Sequence, residues 1–80
     1  MKNRLETIRS EIDRIDGKLK ILLSKREKLV KNIGKLKKLR NLKIEDKTRE
    51  KKILKGIKSP FVKKTFKTIL SASKSIQKQI

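Results

Sequence analysis

The sequence contains no cysteine and no histidine, and its only aromatic residues are two phenylalanines. Without cysteine there is no disulfide framework, no thiolate metal site and no cysteine nucleophile. Without histidine there is neither a Ser-His-Asp triad nor an ordinary zinc site. No apolar run is long enough to span a membrane or to form the core of a signal peptide. We therefore expect no membrane partner and a cytoplasmic location.

Positive charge dominates what is present. The 80 residues include 26 lysines and arginines against 8 aspartates and glutamates, so the formal net charge is +18. A chain of this length forms one domain at most, placed here over residues 1–80, and a single copy buries only a modest fraction of its surface. The charge predicts an anionic partner, and composition alone favours nucleic acid.

Apolar residues in the first half of the chain recur at spacings of three and four, a heptad-type stripe. The stripe contains Leu5, Ile8, Ile12, Ile15, Leu19 and Leu22, and it resumes at Leu29, Ile33 and Leu36. It predicts one long helix over about residues 3–40, roughly 55 Å in length. Such a helix cannot fold back on itself in a compact monomer of this size. It needs partners along its length, so we expect an oligomer.

Two shorter helices are predicted in the second half. Asp46 is a good N-cap for a helix over about residues 46–57, and Ser59-Pro60 is typical of a helix start, here over about 60–79. The last helix has its own apolar stripe, at Val62, Phe66, Ile69, Ile76 and Ile80, with Ser73 on the same face. The predicted fold class is all-α, with one long and two shorter helices.

Two cations lie where the first stripe leads us to expect apolar side chains. The position after Leu22 in the stripe is Arg26, and Lys37 returns to the same side of the helix three turns later. Two cations that point into one interior cannot satisfy each other, so they indicate a bound anion or acidic residues from elsewhere. The alternative is that Arg26 sets the register of a coiled coil and Lys37 is a solvated lysine.

Further polar residues interrupt the shorter helices. Ser73 lies on the apolar face and Gln77 follows one turn later, which fits either a polar cavity or ordinary helix packing with an exposed glutamine. Asp46, Arg49 and Glu50 share one face of a first helical turn. They fit either a ligand-binding turn or a cap with a surface ion pair.

Arg9 is separated from the other candidates. It lies roughly 25 Å along the helix from Arg26 and points about 100° away from it. Within one chain Arg9 cannot reach a small-ligand pocket that contains Arg26, whereas an antiparallel partner chain could supply it. Taken by itself, Arg9 is a surface residue next to Ile8.

Taken together, these segments resemble the all-helical (AroQ-class) chorismate mutases over about residues 4–78. The matching text lies in residues 8–16, 22–26, 33–37, 44–50 and 73–77. It combines an R-x-x-I-D-x-I-D opening at Arg9, then Arg26 and Lys37, then a D-x-x-R-E segment that begins at Asp46. The segment between the second and third predicted helices is short, and the net charge is high for the family. Neither departure removes a matched site residue.

The resemblance implies an intertwined homodimer in which two long first helices run past each other. Each of two equivalent sites would use one chain plus Arg9 of the partner subunit. Arg26 and the partner's Arg9 would grip the two carboxylates of chorismate, while Lys37 and Gln77 would flank the ether oxygen of the breaking bond. Arg26, Lys37 and Gln77 are thus the expected catalytic residues.

The remaining residues implied by the resemblance would contact the ring of chorismate or line the site. Asp46 and Glu50 would meet the ring hydroxyl, and Arg49 and Ser73 would complete the polar wall. The implied reaction converts chorismate to prephenate in phenylalanine and tyrosine biosynthesis, without a cofactor or metal. The related isochorismate-pyruvate lyases share this architecture, so lyase activity is an alternative.

Two alternatives come from other classes of protein. A basic helical nucleic-acid-binding protein would explain the charge, although the chain has neither an RNA-recognition aromatic signature nor a basic region clustered ahead of a zipper. In that case we expect binding that weakens steeply with salt. A purely structural coiled coil is the other alternative. The cysteine-free composition, rich in lysine and isoleucine, is typical of a thermophilic source.

Overall fold

The computed structural model describes residues 3–80, which form three α-helices: α1 (Arg4–Leu39), α2 (Lys47–Lys55) and α3 (Pro60–Lys78). No strand occurs among these residues, so the prediction of an all-α chain with one long and two shorter helices is confirmed. The first two residues of the expected domain over 1–80 lie outside the described residues. None of the three helices is both long enough and apolar enough to cross a membrane.

Helix α1 ends at Leu39 because the backbone turns sharply two residues later. Asn41 adopts a left-handed conformation with φ of 55°. The N–H of Leu42 donates to the carbonyl of Lys37 at 2.8 Å, and the N–H of Asn41 donates to the carbonyl of Lys38 at 3.3 Å. This pair of bonds is a Schellman motif, which satisfies carbonyls that the end of a helix leaves free. It also ties the following connection to the last turn of α1.

Helix α2 begins after the expected N-cap. The Asp46 carboxylate accepts from the N–H of Arg49 at 3.0 Å, so Asp46 lies outside the helix and caps it. Gly56 is the C-cap, because glycine does little to extend a helix. The helix is therefore shorter than the expected range of 46–57.

Helix α3 starts at the predicted Ser-Pro signal. The Ser59 hydroxyl accepts from the N–H of Val62 at 3.3 Å, and Pro60 occupies the first helical position, where a missing N–H has no cost. Helix α3 then runs in the same direction as the second half of α1, with Ser73 beside Arg26 and Ile80 beside Lys38, and it also contacts α2. Its buried residues are Leu70 and Ser73.

The face of α1 that packs against α3 is rotated from the apolar stripe and shares the stripe position Arg26 with it. Val30 and Gly34 are the buried residues of α1, whereas Leu29, Ile33 and Leu36 are 62%, 43% and 49% exposed. Adjacent helical positions differ by about 100°, so Val30 and Leu29 belong to different faces. Helix α1 therefore has two contact faces in its second half, and α3 covers only one of them.

The first half of α1 is not covered by the other two helices. Its stripe side chains are between 45% and 59% exposed: Leu5, Ile8, Ile12, Ile15, Leu19 and Leu22. The molecule is 59 Å long with a radius of gyration of 16.5 Å, against roughly 12 Å for a compact chain of this length. Its accessible surface is 7430 Å², against about 5,000 Å² for a compact monomer of this mass. The fold of one chain leaves a long apolar seam uncovered.

Candidate active site

A cavity of about 280 Å³ lies between the second half of α1, the α1–α2 connection, α2 and α3. Seven of the eight site residues predicted from the sequence line it, together with one lysine that was not predicted. The polar wall consists of Arg26, Lys37, Asp46, Arg49, Glu50, Ser73, Lys74 and Gln77. The rest of the wall is apolar, with Leu29, Val30, Ile33, Ile44, Ile53 and Leu70.

The Arg26 side chain is held by the buried serine of α3. Its Nη1 donates to the Ser73 hydroxyl, which in turn donates to the carbonyl of Ile69 at 2.7 Å. Among residues 3–80, no carboxylate pairs with Arg26. A guanidinium has five donors, so most of its hydrogen-bonding capacity remains available to other acceptors. Ser73 is thus more than a packing residue, because it orients a half-buried cation that has no acidic partner in the described part of the chain.

Lys37 is fixed at both its backbone and its side chain. Its carbonyl accepts from the N–H of Leu42, and its Nζ donates to the carbonyl of Ile44 at 2.6 Å. An ammonium has three hydrogens, so two remain for other acceptors. The Schellman turn after α1 therefore delivers the carbonyl that orients this lysine.

Gln77 lies where α3 approaches Gly34 of α1 closely. A Cβ atom added to Gly34 would lie 3.3 Å from the Cα of Gln77 and 2.7 Å from the Cδ1 of Ile80. The Gln77 Nε2 donates to the carbonyl of Ser73 at 3.4 Å, which leaves one amide hydrogen. Its Oε1 is buried and accepts from no group among the described residues. A buried acceptor left open in a cavity wall is satisfied when ligand or water fills the cavity.

The acidic residues of the wall have different partners. Asp46 caps α2, as described above, whereas Glu50 is half-buried and lies 3.1 Å from the Nζ of Lys74. Lys74 also lies 3.7 Å from Glu45, which precedes the cap residue. The hydrogen bond to Glu50 is the largest effect on Lys74 and raises its pKa above the ordinary value of 10.5. The cation–carboxylate pair connects α3 to α2 across the cavity.

Sequence reasoning missed Lys74 and Gly34. Lys74 follows Ser73 directly, but one more lysine carries no signal in a chain with 26 basic residues. Gly34 does carry a signal, because glycine inside a helix costs up to about 1 kcal/mol relative to alanine. Its reason is the close approach of α3. Gly17 has the same cost, yet a Cβ there would meet nothing within 4 Å in this chain.

Arg9 is the predicted site residue that one chain does not bring to the cavity. It is exposed in the first half of α1 and is not part of the cavity wall. The rise of an α-helix separates it from Arg26 by roughly 25 Å.

The charges of the wall favour a small anion. Four cations, Arg26, Lys37, Arg49 and Lys74, face two carboxylates, of which one caps a helix and one is paired with Lys74. In a largely apolar wall, such cations attract an anion more strongly than they would in water. The wall has no cysteine or histidine because the sequence has none, so its chemistry consists of hydrogen bonding and charge.

The fold and the cavity define an all-helical protein with a cation-rich cavity between its helices. Residues 8–78 match the family described as chorismate mutase type II, and the chain belongs to that family. The resemblance to the AroQ class inferred from the sequence is therefore confirmed. A solved structure of a conserved hypothetical protein from Pyrococcus furiosus is 39% identical, with 96% of this chain and 99% of that chain covered and a TM-score of 0.85. A search of curated proteins gave no match.

Proposed function

We propose that this protein converts chorismate to prephenate, a step of phenylalanine and tyrosine biosynthesis. One observation carries the proposal. Arg26, Lys37, Ser73 and Gln77 interrupt the apolar pattern of the sequence, and all four line the same cavity in a chain of the chorismate mutase family. Because these residues come from two helices, their convergence is a property of the fold and not of one helical repeat.

The chemistry of the reaction suits this chain. The rearrangement is pericyclic, so one C–O bond breaks while a C–C bond forms, and it uses no nucleophile and no proton transfer. The protein has two tasks: to hold the enolpyruvyl arm over the ring, and to stabilise negative charge that develops on the ether oxygen. Hydrogen-bond donors and cations can perform both.

Arg26 is the proposed anchor for one substrate carboxylate. Its guanidinium is already oriented by Ser73, so little side-chain entropy is lost on binding. A guanidinium binds a carboxylate through two parallel charge-assisted hydrogen bonds, which fix the direction of the arm as well as its position.

Lys37 and Gln77 are the proposed partners of the ether oxygen. Each already donates one hydrogen bond to a main-chain carbonyl, Lys37 to Ile44 and Gln77 to Ser73, and each retains a free donor. Donors that are held before the reaction stabilise a transition state without reorganisation at the moment of bond cleavage. Asp46 and Glu50 are the proposed acceptors for the ring hydroxyl, with Arg49 beside them in the wall.

We propose in addition that the active form is an intertwined homodimer and that Arg9 of the partner subunit binds the second carboxylate. The support is the exposed stripe of α1 and an accessible surface about 2,400 Å² larger than that of a compact monomer of this mass. Obligate homodimers bury about 2,000–5,000 Å² in total, so covering this seam is a reasonable source of the missing burial. Each protomer would be a single catalytic domain.

Turnover of chorismate tests the proposed function. Purified protein should remove chorismate absorbance and yield prephenate, identified by NMR, and a transition-state-like bicyclic diacid should inhibit it. A parallel assay with isochorismate measures pyruvate release and tests the lyase alternative. Nucleic-acid binding with a steep salt dependence, in a protein that turns over neither substrate, would contradict the proposal and favour the nucleic-acid alternative.

A further inference from the structure

We infer that Lys74 is a positioning and specificity residue of this site, which allows a carboxylate, Glu50, to contact the hydroxyl of a dianionic substrate. The identity of the substrate rests on the proposed function. Lys74 itself contacts Glu50 and is not assigned to the reacting bond.

The geometry places Lys74 between two functional groups. Its side chain is 31% exposed and lines the cavity, and its Nζ lies 3.1 Å from the Oε1 of Glu50, whose side chain is 22% exposed. The residue before it is Ser73, which orients Arg26. Two adjacent residues of α3 therefore hold two groups of the site: Ser73 holds Arg26, the proposed carboxylate anchor, and Lys74 holds Glu50, the proposed hydroxyl contact.

The need for Lys74 follows from the charge of the ligand. A cavity that binds a dianion should repel it wherever the wall carries an uncompensated carboxylate. The negative charge of Asp46 is already directed at the N-terminus of α2, which favours it. Among residues 3–80, Glu50 has Lys74 as its ion-pair partner. Lys74 holds one carboxylate oxygen, and the other can accept from a ligand hydroxyl.

A second contact links Lys74 to the lysine at the proposed ether-oxygen position. Lys74 lies 3.7 Å from Glu45, the residue after Ile44, and the carbonyl of Ile44 accepts from Lys37. Lys74 therefore restrains the same connection that holds Lys37. This contact is the longer and more exposed of the two ion pairs, so the main effect should come through Glu50.

The test compares Lys74→Gln with Lys74→Arg, with Lys78→Gln as the matched control, because Lys78 is an exposed lysine one turn later on the same helix and does not line the cavity. Lys74→Gln should raise KM for chorismate by about tenfold while kcat changes by less than about threefold, because the lost charge acts on binding of the dianion. Lys74→Arg keeps the positive charge, so its KM should stay within about threefold of wild type, and Lys78→Gln should leave KM unchanged.

A double-mutant cycle separates positioning of Glu50 from general destabilisation. In a Glu50→Gln background, Lys74→Gln should raise KM by less than about twofold, because no carboxylate is left to neutralise. Binding of the bicyclic diacid, with and without its hydroxyl, gives a second readout by calorimetry. Lys74→Gln should weaken the hydroxyl-bearing diacid more than the one that lacks the hydroxyl.

Each result has a definite meaning. An unchanged KM for Lys74→Gln, an equal effect in both Glu50 backgrounds, or an equal loss of affinity for the two diacids overturns the role of Lys74 while the proposed function stands. Absence of turnover and of diacid binding in the wild type overturns both. If Lys74→Gln loses helicity, Lys74→Met, which keeps a long aliphatic stem, carries the same comparison.

Discussion

The two halves of α1 follow one sequence rule but have different surroundings. In the first half, stripe residues such as Ile12 and Ile15 are exposed, so neither α2 nor α3 covers them. In the second half, Val30 and Gly34 are buried against α3, and Arg26 and Lys37 face a cavity. The same periodicity therefore occurs in the first half, where one chain leaves the surface exposed, and in the second half, where α3 of the same chain covers part of it. A heptad stripe identifies a contact face without identifying the partner.

The largest effect is expected in the second half. Lys37→Ala should lower kcat by about 10²-fold or more, because it removes the donor proposed for the ether oxygen. Lys38→Ala is the control, since Lys38 is the adjacent lysine and donates to the main-chain oxygen of Ile80 outside the cavity. Steady-state kinetics with chorismate provide the measurement. Near-wild-type kcat for Lys37→Ala would remove Lys37 from its proposed role.

The next effect is expected in the first half and should act on assembly. Ile12→Gln removes an apolar side chain from the exposed stripe in both copies of a dimer. Because Ile12 is 49% exposed in one chain, the cost is about 1.5–3 kcal/mol per dimer if the seam is buried there. Lys20→Gln, an exposed substitution off the stripe, should have no comparable effect. Sedimentation across a concentration series measures the dimer dissociation constant. Equal behaviour of the two variants would show that the stripe is not the interface.

A smaller effect should distinguish close packing from simple helix propensity. Gly34→Ala places a methyl group against Gln77 and Ile80, so it should destabilise the fold by about 1–3 kcal/mol and also lower kcat. Gly56→Ala meets no atom within 4 Å and should be neutral or slightly stabilising. Chemical denaturation compares the two. A stabilised Gly34→Ala variant would mean that α1 and α3 are farther apart than described.

The smallest effect concerns pH. The folded-state pKa of Lys74 is raised above 10.5, chiefly by its hydrogen bond to Glu50, so the stabilisation from this pair is complete below that value and is lost as pH rises through the raised pKa. The difference in Tm between wild type and Lys74→Gln should thus be constant from about pH 6 to pH 9 and vanish at higher pH. A difference that disappears within the neutral range would contradict this assignment.

Local signals in the sequence predict the helices well. The cap at Asp46 and the Ser59-Pro60 start act through their own backbone neighbours, so no tertiary information is needed. The polar interruptions at Arg26 and Ser73 were also visible, because polar residues on an apolar stripe conflict with packing. The hydrogen bond between Arg26 and Ser73 could not be predicted, because it depends on how α3 lies beside α1.

Other features could not be predicted because they depend on distance between elements. Helix α1 packs against α3 through Val30 and not through Leu29. Both residues are apolar, so the sequence does not indicate which of them forms the contact. Lys74 has the same sequence character as many exposed lysines and acquires meaning only through Glu50 on another helix. The position of Arg9 relative to a site depends on a second chain, so its role remains a prediction.

The central claim is that each site is shared by two chains, and the most direct test combines one variant from each half of α1. Arg9→Ala and Arg26→Ala chains should each be nearly inactive alone. When they are unfolded together and refolded as a mixture, half of the dimers should be mixed, with one intact site each, so about a quarter of wild-type activity should return. Recovery of that size would establish a site shared by two chains. No recovery, with mixed dimers demonstrated by mass spectrometry, would contradict it.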